Sequence, residues 1–156
     1  MDREERARLI ERYRDGARAV SEAVASLSPT DLDRHAGQQW SAREVIHHLA
    51  DAEMIEGVRL RRILAEEKPL LPWADEAEYA RRLHYQRPVE VSVAAFGALV
   101  AASAELLDSL DMRQWRRRGV HSLRGEYTID DWLEEMAAHA HDHVAQMYRA
   151  AGHDVI

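Results

Sequence analysis

Apolar residues recur at spacings of three and four along most of this 156-residue chain, the pattern of amphipathic helices that each bury one face. Ile10, Tyr13, Ala17, Val20, Val24 and Leu27 form the first such seam and predict a helix from about Asp2 to Leu27. Ser28-Pro29 stops it, because proline disfavours helix in the residue before it. Ser41-Ala42-Arg43-Glu44 reads as a capping box, with Trp40 and Val45 placed as a hydrophobic staple. Val45, Leu49, Ala52, Leu60 and Ile63 mark the buried face of that second helix, which is expected to reach about Glu67. Pro69, Pro72 and Trp73 mark a loop, followed by a short helix around Asp75–Leu83. A third long helix is expected from about Val89 to Leu110. Phe96, Leu99 or Val100, Ser103, Leu106 or Leu107 and Leu110 face inward, and Ala94, Ala95, Ala98, Ala101 and Ala102 face a neighbouring helix. Residues 111–127 read as a long loop. Thr128 opens the last helix, with Asp131 in the third position and a Tyr127–Trp132 staple, and Ala151-Gly152 closes it. Four long amphipathic helices without internal repeats predict an all-α four-helix bundle, a single domain over residues 1–156.

The last helix carries the feature that needs a chemical account. At 100° per residue, His139 and His143 fall within the apolar stripe of Ile129, Trp132, Met136, Met147 and Ala150, one turn apart. His141 points roughly 160–200° away, toward water, by the same geometry. On the second helix His48 lies about 60° from the centre of the core face and His47 about 160° away. His48 is therefore expected inward and His47 outward. A buried imidazole needs a hydrogen-bond or metal partner. Core histidines satisfied by polar neighbours are one reading of the three inward rings. A metal gripped by all three is the other.

Composition narrows the chemistry. There is no cysteine, so thiolate ligands, disulfides and a protein thiol nucleophile are all excluded. A metal would be held by His, Asp or Glu. Three nitrogens from two helices suit zinc, nickel or iron(II) and leave a coordination position open, which marks catalytic more often than structural sites. A zincin motif fails because Ala140 stands where its glutamate base belongs. A di-iron site fails because Glu44-Val45-Ile46-His47 is the one Glu-x-x-His and Glu44 is already a cap. The net charge of −7 gives no general attraction to nucleic acid. No apolar run was expected to span a membrane, and the charged start Met1-Asp2-Arg3-Glu4-Glu5-Arg6 is no signal peptide, so a cytoplasmic protein without membrane partners is expected.

The residues also carry a family resemblance. Trp40-Ser41-Ala42-Arg43-Glu44-Val45-Ile46-His47-His48-Leu49-Ala50-Asp51-Ala52-Glu53 resembles the second-helix motif of the DinB/YfiT-like superfamily. Gly119-Val120-His121, Gly125-Glu126-Tyr127-Thr128-Ile129 and His139-Ala140-His141-Asp142-His143-Val144-Ala145-Gln146 are similar to its later motifs, in the same order. The resemblance spans essentially the whole chain. It implies the DinB-type bundle connectivity, commonly dimeric, and metal ligation by His48, His139 and His143. It implies neither a polymerase nor a DNA-binding protein. Members resembling this chain include thiol S-transferases, which join low-molecular-weight thiols such as bacillithiol to electrophiles. Others are thiol-dependent isomerases, and many are named metal-dependent hydrolases.

The expected function is therefore a metal-dependent thiol S-transferase acting on a small molecule, with a metal-dependent hydrolase or a noncatalytic stress-associated bundle as alternatives. Glu56 and Arg59, near the inner face beyond His48, read either as snorkelling side chains or as the polar wall of a substrate pocket. Arg116, Arg117 and Arg118 read as solvated surface or as a clamp for an anionic substrate. Direct ligation by His121 is not expected. Trp73 and Trp115, expected to be exposed in loops, are candidate surfaces for a homodimer.

Overall fold

The computed structural model describes residues 1–153, so residues 154–156 of the expected domain lie outside the described residues. Helix α1 (Arg3–Ser26) begins where the Asp2 side chain accepts from the Glu5 amide. A one-turn helix α2 (Pro29–Leu32) follows, opened by a Ser28/Asp31 capping box. Helix α3 (Ala42–Ala65) opens with the Ser41/Glu44 box and α6 (Ile129–Ala151) with a Thr128/Asp131 box. Gly152, at φ 79°, adopts the left-handed geometry that ends α6. Between them lie β1 (Leu70–Leu71), α4 (Glu76–Arg82), α5 (Glu90–Asp108), a 3-10 turn (Gln114–Arg116), β2 (Arg118–His121) and β3 (Gly125–Thr128).

The four long helices form the bundle, with α1 and α3 each touching both α5 and α6 or their neighbours around the ring α1–α5–α3–α6. Side-chain contacts give their directions. Arg6 pairs with Asp130 and Ser26 meets Tyr148, so α1 and α6 run parallel. His47 meets Ser92 and Arg61 meets Ser103, so α3 and α5 are parallel too. His48 faces His143 while Trp132 donates to the Glu56 carbonyl, so α3 and α6 are antiparallel. Parallel neighbours cannot be joined by a tight turn. The chain from α3 to α5 must return along the whole of α3, about 36 Å for its 24 residues. Residues 66–89 make that return and become a wall beside α3.

The expected loop over residues 111–127 is instead partly ordered as strand. β2 pairs antiparallel with β3 and parallel with β1, through registers Gly119↔Tyr127 and Leu70↔Val120. Gly125, at φ 82°, supplies the positive φ that closes this short hairpin. Gly119 lies against Pro69 and Leu71, where a Cβ would come within 3.0 Å of both. Trp115 is buried, not exposed, because Arg6 lies over its ring at 4.5 Å. Its indole therefore offers no dimer surface, whereas Trp73 is exposed.

Two expectations about α5 also change. Ala94, Ala98, Ala101 and Ala102 are exposed and Ala95 half-buried, because Ser92, Phe96, Val100, Ser103, Ala104 and Leu107 make the contact face. This 19-residue helix is, by length and composition, apolar enough to cross a membrane. The sequence reading missed that because alanine and glycine dominate the run. Here Phe96, Val100 and Leu107 are part of the bundle core.

Helices α1 and α6 approach most tightly at Gly16, where a Cβ would stand 2.7 Å from the Ala140 Cβ. Higher up the core, Tyr13 packs edge-on against Trp132 at 5.4 Å and donates its hydroxyl to Oε1 of Glu53. Glu53 is fully buried and its Oε2 has no hydrogen-bond partner. Burial pushes its carboxyl up to about 8.

These contacts generate two expectations. Gly16→Ala should lower the melting temperature, since overpacking costs about 1–3 kcal/mol against a helix-propensity gain of about 1 kcal/mol. Gly97→Ala, in open space on α5, should raise it. Equal stabilisation by both would show that α1 and α6 separate freely. For Glu53, a folded-state pKa above the ordinary glutamate value contributes stability that is complete at low pH and lost as pH rises through about 8. The denaturation midpoint should fall between about pH 5 and pH 8 and level off above that, and Glu53→Gln should flatten the fall.

Candidate metal centre

Antiparallel α3 and α6 bring His48 opposite His139 and His143. The three Nε2 atoms lie 3.3 Å (His48–His139), 3.2 Å (His48–His143) and 3.1 Å (His139–His143) apart. His48 is buried and the other two rings are half-buried. The Trp40 ring covers His48 at 5.0 Å. Nδ1 of His143 donates to Oε1 of Gln146 at 2.7 Å, so its Nε2 carries a lone pair.

Protons cannot satisfy this triangle. With one Nε2 fixed as an acceptor, any assignment of N–H to the other two leaves one pair either lone pair to lone pair or N–H to N–H. Burial also opposes a shared positive charge. Desolvation and the neighbouring rings hold His48 down to about 3, and desolvation with His143 holds His139 to about 4. Desolvation lowers His143 as well. Three neutral imidazoles thus turn lone pairs toward one point. Ligands about 2.0–2.1 Å from a tetrahedral ion lie about 3.3 Å from one another, close to the observed spacings. The residues fit a divalent cation.

A cavity of about 250 Å³ opens beside His48. From α3 it is lined by Asp51, Ala52, Ile55, Glu56 and Arg59, and from α6 by Glu135. The α3–α5 return supplies Trp73, Ala74, Glu76, Tyr79 and Tyr85, and the hairpin supplies His121, Leu123 and Arg124. Hairpin and return are stitched together: Trp73 N donates to Ser122 Oγ at 2.8 Å and Ser122 N to the Leu71 carbonyl at 3.0 Å. Glu135, one turn before His139, accepts from Arg124 Nη1 at 2.6 Å and Tyr127 Oη at 2.9 Å. These donors hold its carboxyl below the usual glutamate range despite desolvation. Glu56 pairs with Arg59 through Oε1, while burial pushes its carboxyl up.

Several candidate residues occupy other places. Arg116, Arg117 and Arg118 are not among the residues lining the cavity. Arg117 donates to the carbonyls of Ile63 (2.8 Å) and Glu66, fastening the hairpin to the end of α3, and Arg118 pairs with Glu126 across the hairpin at 2.9 Å. Arg116 is exposed. His47 corrects the outward expectation. It is fully buried, donates from Nε2 to the Arg87 carbonyl at 3.0 Å and accepts from Ser92 Oγ at 2.8 Å. The satisfied core histidine exists in this fold, and it is His47. His141 is half-buried, and its Nε2 donates to the Arg12 carbonyl at 3.1 Å.

With this geometry in place, comparison with known proteins is informative. The sequence model of the DinB superfamily matches residues 5–147. The chain belongs to that superfamily. It is 31% identical over 139 residues to a protein of Oceanobacillus iheyensis provisionally named a metal-dependent hydrolase, covering 88% of this chain and 81% of that one. A protein of Halalkalibacterium halodurans with the same provisional name is 26% identical, over 81% of this chain and 75% of its own. Among solved structures, YfiT from Bacillus subtilis superposes with a TM-score of 0.90 at 24% identity, covering 99% of this chain and 91% of that one. At that identity the likeness is one of fold, and YfiT is described as having an unusual four-helix bundle topology. In this chain the parallel α1/α6 and α3/α5 pairs depart from an up-down bundle.

Sequence reasoning missed Asp51, Glu76, Glu135, Arg124, His121 and Tyr85 as cavity residues. For Glu135 a signal existed: it precedes His139 by one helical turn on the same face. Asp51 likewise follows His48 by three residues on α3, whereas Glu76, Tyr85, His121 and Arg124 reach the cavity from the return and the hairpin, whose placement follows from helix directions that periodicity does not encode.

Proposed function

We propose that this protein is a divalent-metal enzyme, its ion held by His48, His139 and His143, acting on a small molecule in the adjoining cavity. The carrying observation is the triangle of Nε2 atoms that no proton arrangement satisfies and a single cation does. Bound by three neutral nitrogens, zinc, nickel or iron(II) supplies Lewis acidity that lowers the pKa of a nucleophile completing its coordination. The chain's own residues do the rest. Gln146 fixes the tautomer of His143. Arg124 and Tyr127 fix Glu135, and the return and hairpin shield the cavity from water. His121 accepts the Leu123 amide on Nδ1 at 3.2 Å, which leaves Nε2–H to donate to a substrate oxygen or nitrogen.

With water as nucleophile the protein is a hydrolase, the reading the provisional names of its relatives support. With a low-molecular-weight thiol such as bacillithiol it is an S-transferase. The ordered motif set supports that second reading, and a chain without cysteine requires the thiol as a cosubstrate. A homodimer is the proposed assembly. The surface that supports it is the outer face of α5, where Val91 is 80% exposed beside Ala94, Ala98 and Ala101.

Protein purified without a histidine tag should carry about one divalent ion per chain. Alanine at any one of His48, His139 or His143 should abolish stoichiometric binding. His47→Ala should keep the metal but lose stability, and Gln146→Leu should weaken affinity about 10–100-fold. Full metal retention by a His48→Ala, His139→Ala double variant would sink the site. Turnover of an ester and amide panel without thiol, against consumption of electrophiles only with thiol, separates the two chemistries. Light scattering should report twice the monomer mass, and a monomer at high micromolar concentration would end the dimer proposal.

A further inference from the structure

The cavity beside the histidines has an unbalanced inventory of charge. Asp51, Glu56, Glu76 and Glu135 face Arg59 and Arg124 across it, so carboxylates outnumber guanidinium groups. Both guanidinium groups are already committed. Arg124 donates to both oxygens of Glu135, at 2.6 and 3.2 Å. Arg59 donates to Glu56 Oε1 and to the Pro72 carbonyl. Two tyrosine hydroxyls are committed as well, Tyr127 to Glu135 at 2.9 Å and Tyr85 to Asp51 Oδ2 at 2.7 Å.

What remains charged and unpaired is an acceptor. Glu56 is 9% exposed, and its Oε2 is buried without a hydrogen-bond partner. An unpaired buried carboxylate oxygen is costly, so a native structure that retains one calls for an explanation. The side-chain donors left free there are all neutral: His121 Nε2–H, the Trp73 indole N–H and the Tyr79 hydroxyl. Trp73, Tyr79 and Tyr85 supply aromatic wall, and aromatic faces attract cations.

We propose that this cavity recognises a protonated amine on the substrate, a primary ammonium or a guanidinium. Its N–H donates to Glu56 Oε2, with Asp51 and Glu76 adding negative field and the aromatic wall enclosing it. The reacting end of the substrate then extends toward His48. The assignment rests on the histidine triad being the reaction centre, although the amine contact itself needs no metal. It also inverts the anionic substrate that the Arg116–Arg118 run suggested, since those arginines are outside the cavity and those inside are paired. A carboxylate in this position would meet acceptors.

Calorimetric titration of the metal-loaded protein with benzylammonium, benzyl alcohol and benzoate tests it, repeated after the metal is stripped. Benzylammonium should bind at least about tenfold more tightly than benzyl alcohol, the worth of one charge-assisted hydrogen bond, with benzoate weakest. The order should be the same with and without metal, which excludes ligation of the ion by the amine. Glu56→Gln should erase the ammonium preference and, by freeing Arg59, strengthen benzoate. Benzyl alcohol or benzoate matching benzylammonium in the unaltered protein overturns the proposal, and so does a preference unchanged in Glu56→Gln. The ranking in the unaltered protein decides the matter even where that variant fails to fold. Protein that binds no metal yet prefers ammonium overturns the metalloenzyme reading and leaves this one standing. Stoichiometric metal without an ammonium preference does the reverse.

Discussion

Two parallel neighbouring helices in a bundle cannot be joined by a short turn, and that constraint shapes everything functional in this molecule. Trp132, in the first turn of α6, donates to the carbonyl of Glu56, and helix α3 runs on from there to end at Ala65, at the end of the bundle where α6 begins. Helix α5 starts at the other end, where Ser92 meets His47. The chain has to travel back along α3, and it does so on the outside of the α3–α6 groove. Outside the short helix α4 the return cannot hydrogen-bond its backbone internally, so it recruits partners. β1 joins β2, Tyr85 reaches Asp51, and Arg62 donates to the Leu70 carbonyl at 2.8 Å. A groove between two helices becomes a walled cavity with the histidines at one end.

The electrostatics of that cavity follow from its walls. Removing water raises the cost of charge, and the groups respond according to their partners. Imidazoles without anionic hydrogen-bond partners become neutral ligands. Glu135, given Arg124 and Tyr127, remains a carboxylate. Glu53, given only a tyrosine hydroxyl, is pushed toward the neutral acid. The same low-dielectric interior therefore holds a neutral nitrogen face, an ionised carboxylate and a neutral buried acid within a few turns of α3 and α6. Each state is set by a hydrogen-bond partner that can be named.

The helices were legible in the sequence because their caps are local. Ser41/Glu44, Thr128/Asp131 and Gly152 place the ends of α3 and α6 to within about a residue or two of the periodicity. The inward placement of His48, His139 and His143 was legible for the same reason. Errors began where burial depends on more than one neighbour. A single core direction was assumed for α3, but its first half is covered by α5, by α6 and by the returning chain, so residues 45–50 are all buried. His47 fell outside the assumed arc and inside the real one. Strands of four residues, Arg118–His121 and Gly125–Thr128, are too short for alternation to announce them. Their position depends on Gly119 fitting under Leu71, a contact between segments far apart in sequence. The place of Arg117 was not legible because it caps the carbonyl end of α3, a role that depends on the hairpin lying there.

The triangle of imidazoles contributes nothing to the fold by itself, since its nitrogens cannot satisfy one another. Something else must hold their helices in register, and the close α1/α6 approach at Gly16 and Ala140 does so on the far side of α6. The Tyr13–Glu53 bond and the Trp132 indole tie α1, α3 and α6 together without involving any of the three rings. The ligand set is therefore built on elements that are rigid for independent reasons, as a site must be if its geometry is to persist between encounters with a cation. A structural zinc site closes its coordination with four protein ligands and contributes directly to folding. Among the described residues there are three here, and Glu135, one turn before His139, accepts from Arg124 and Tyr127. The fourth direction is left to the cavity that His48 borders. In the proposed enzyme that open direction is where a substrate would meet the ion, whereas a fourth protein ligand there would mark a site built to hold the chain together.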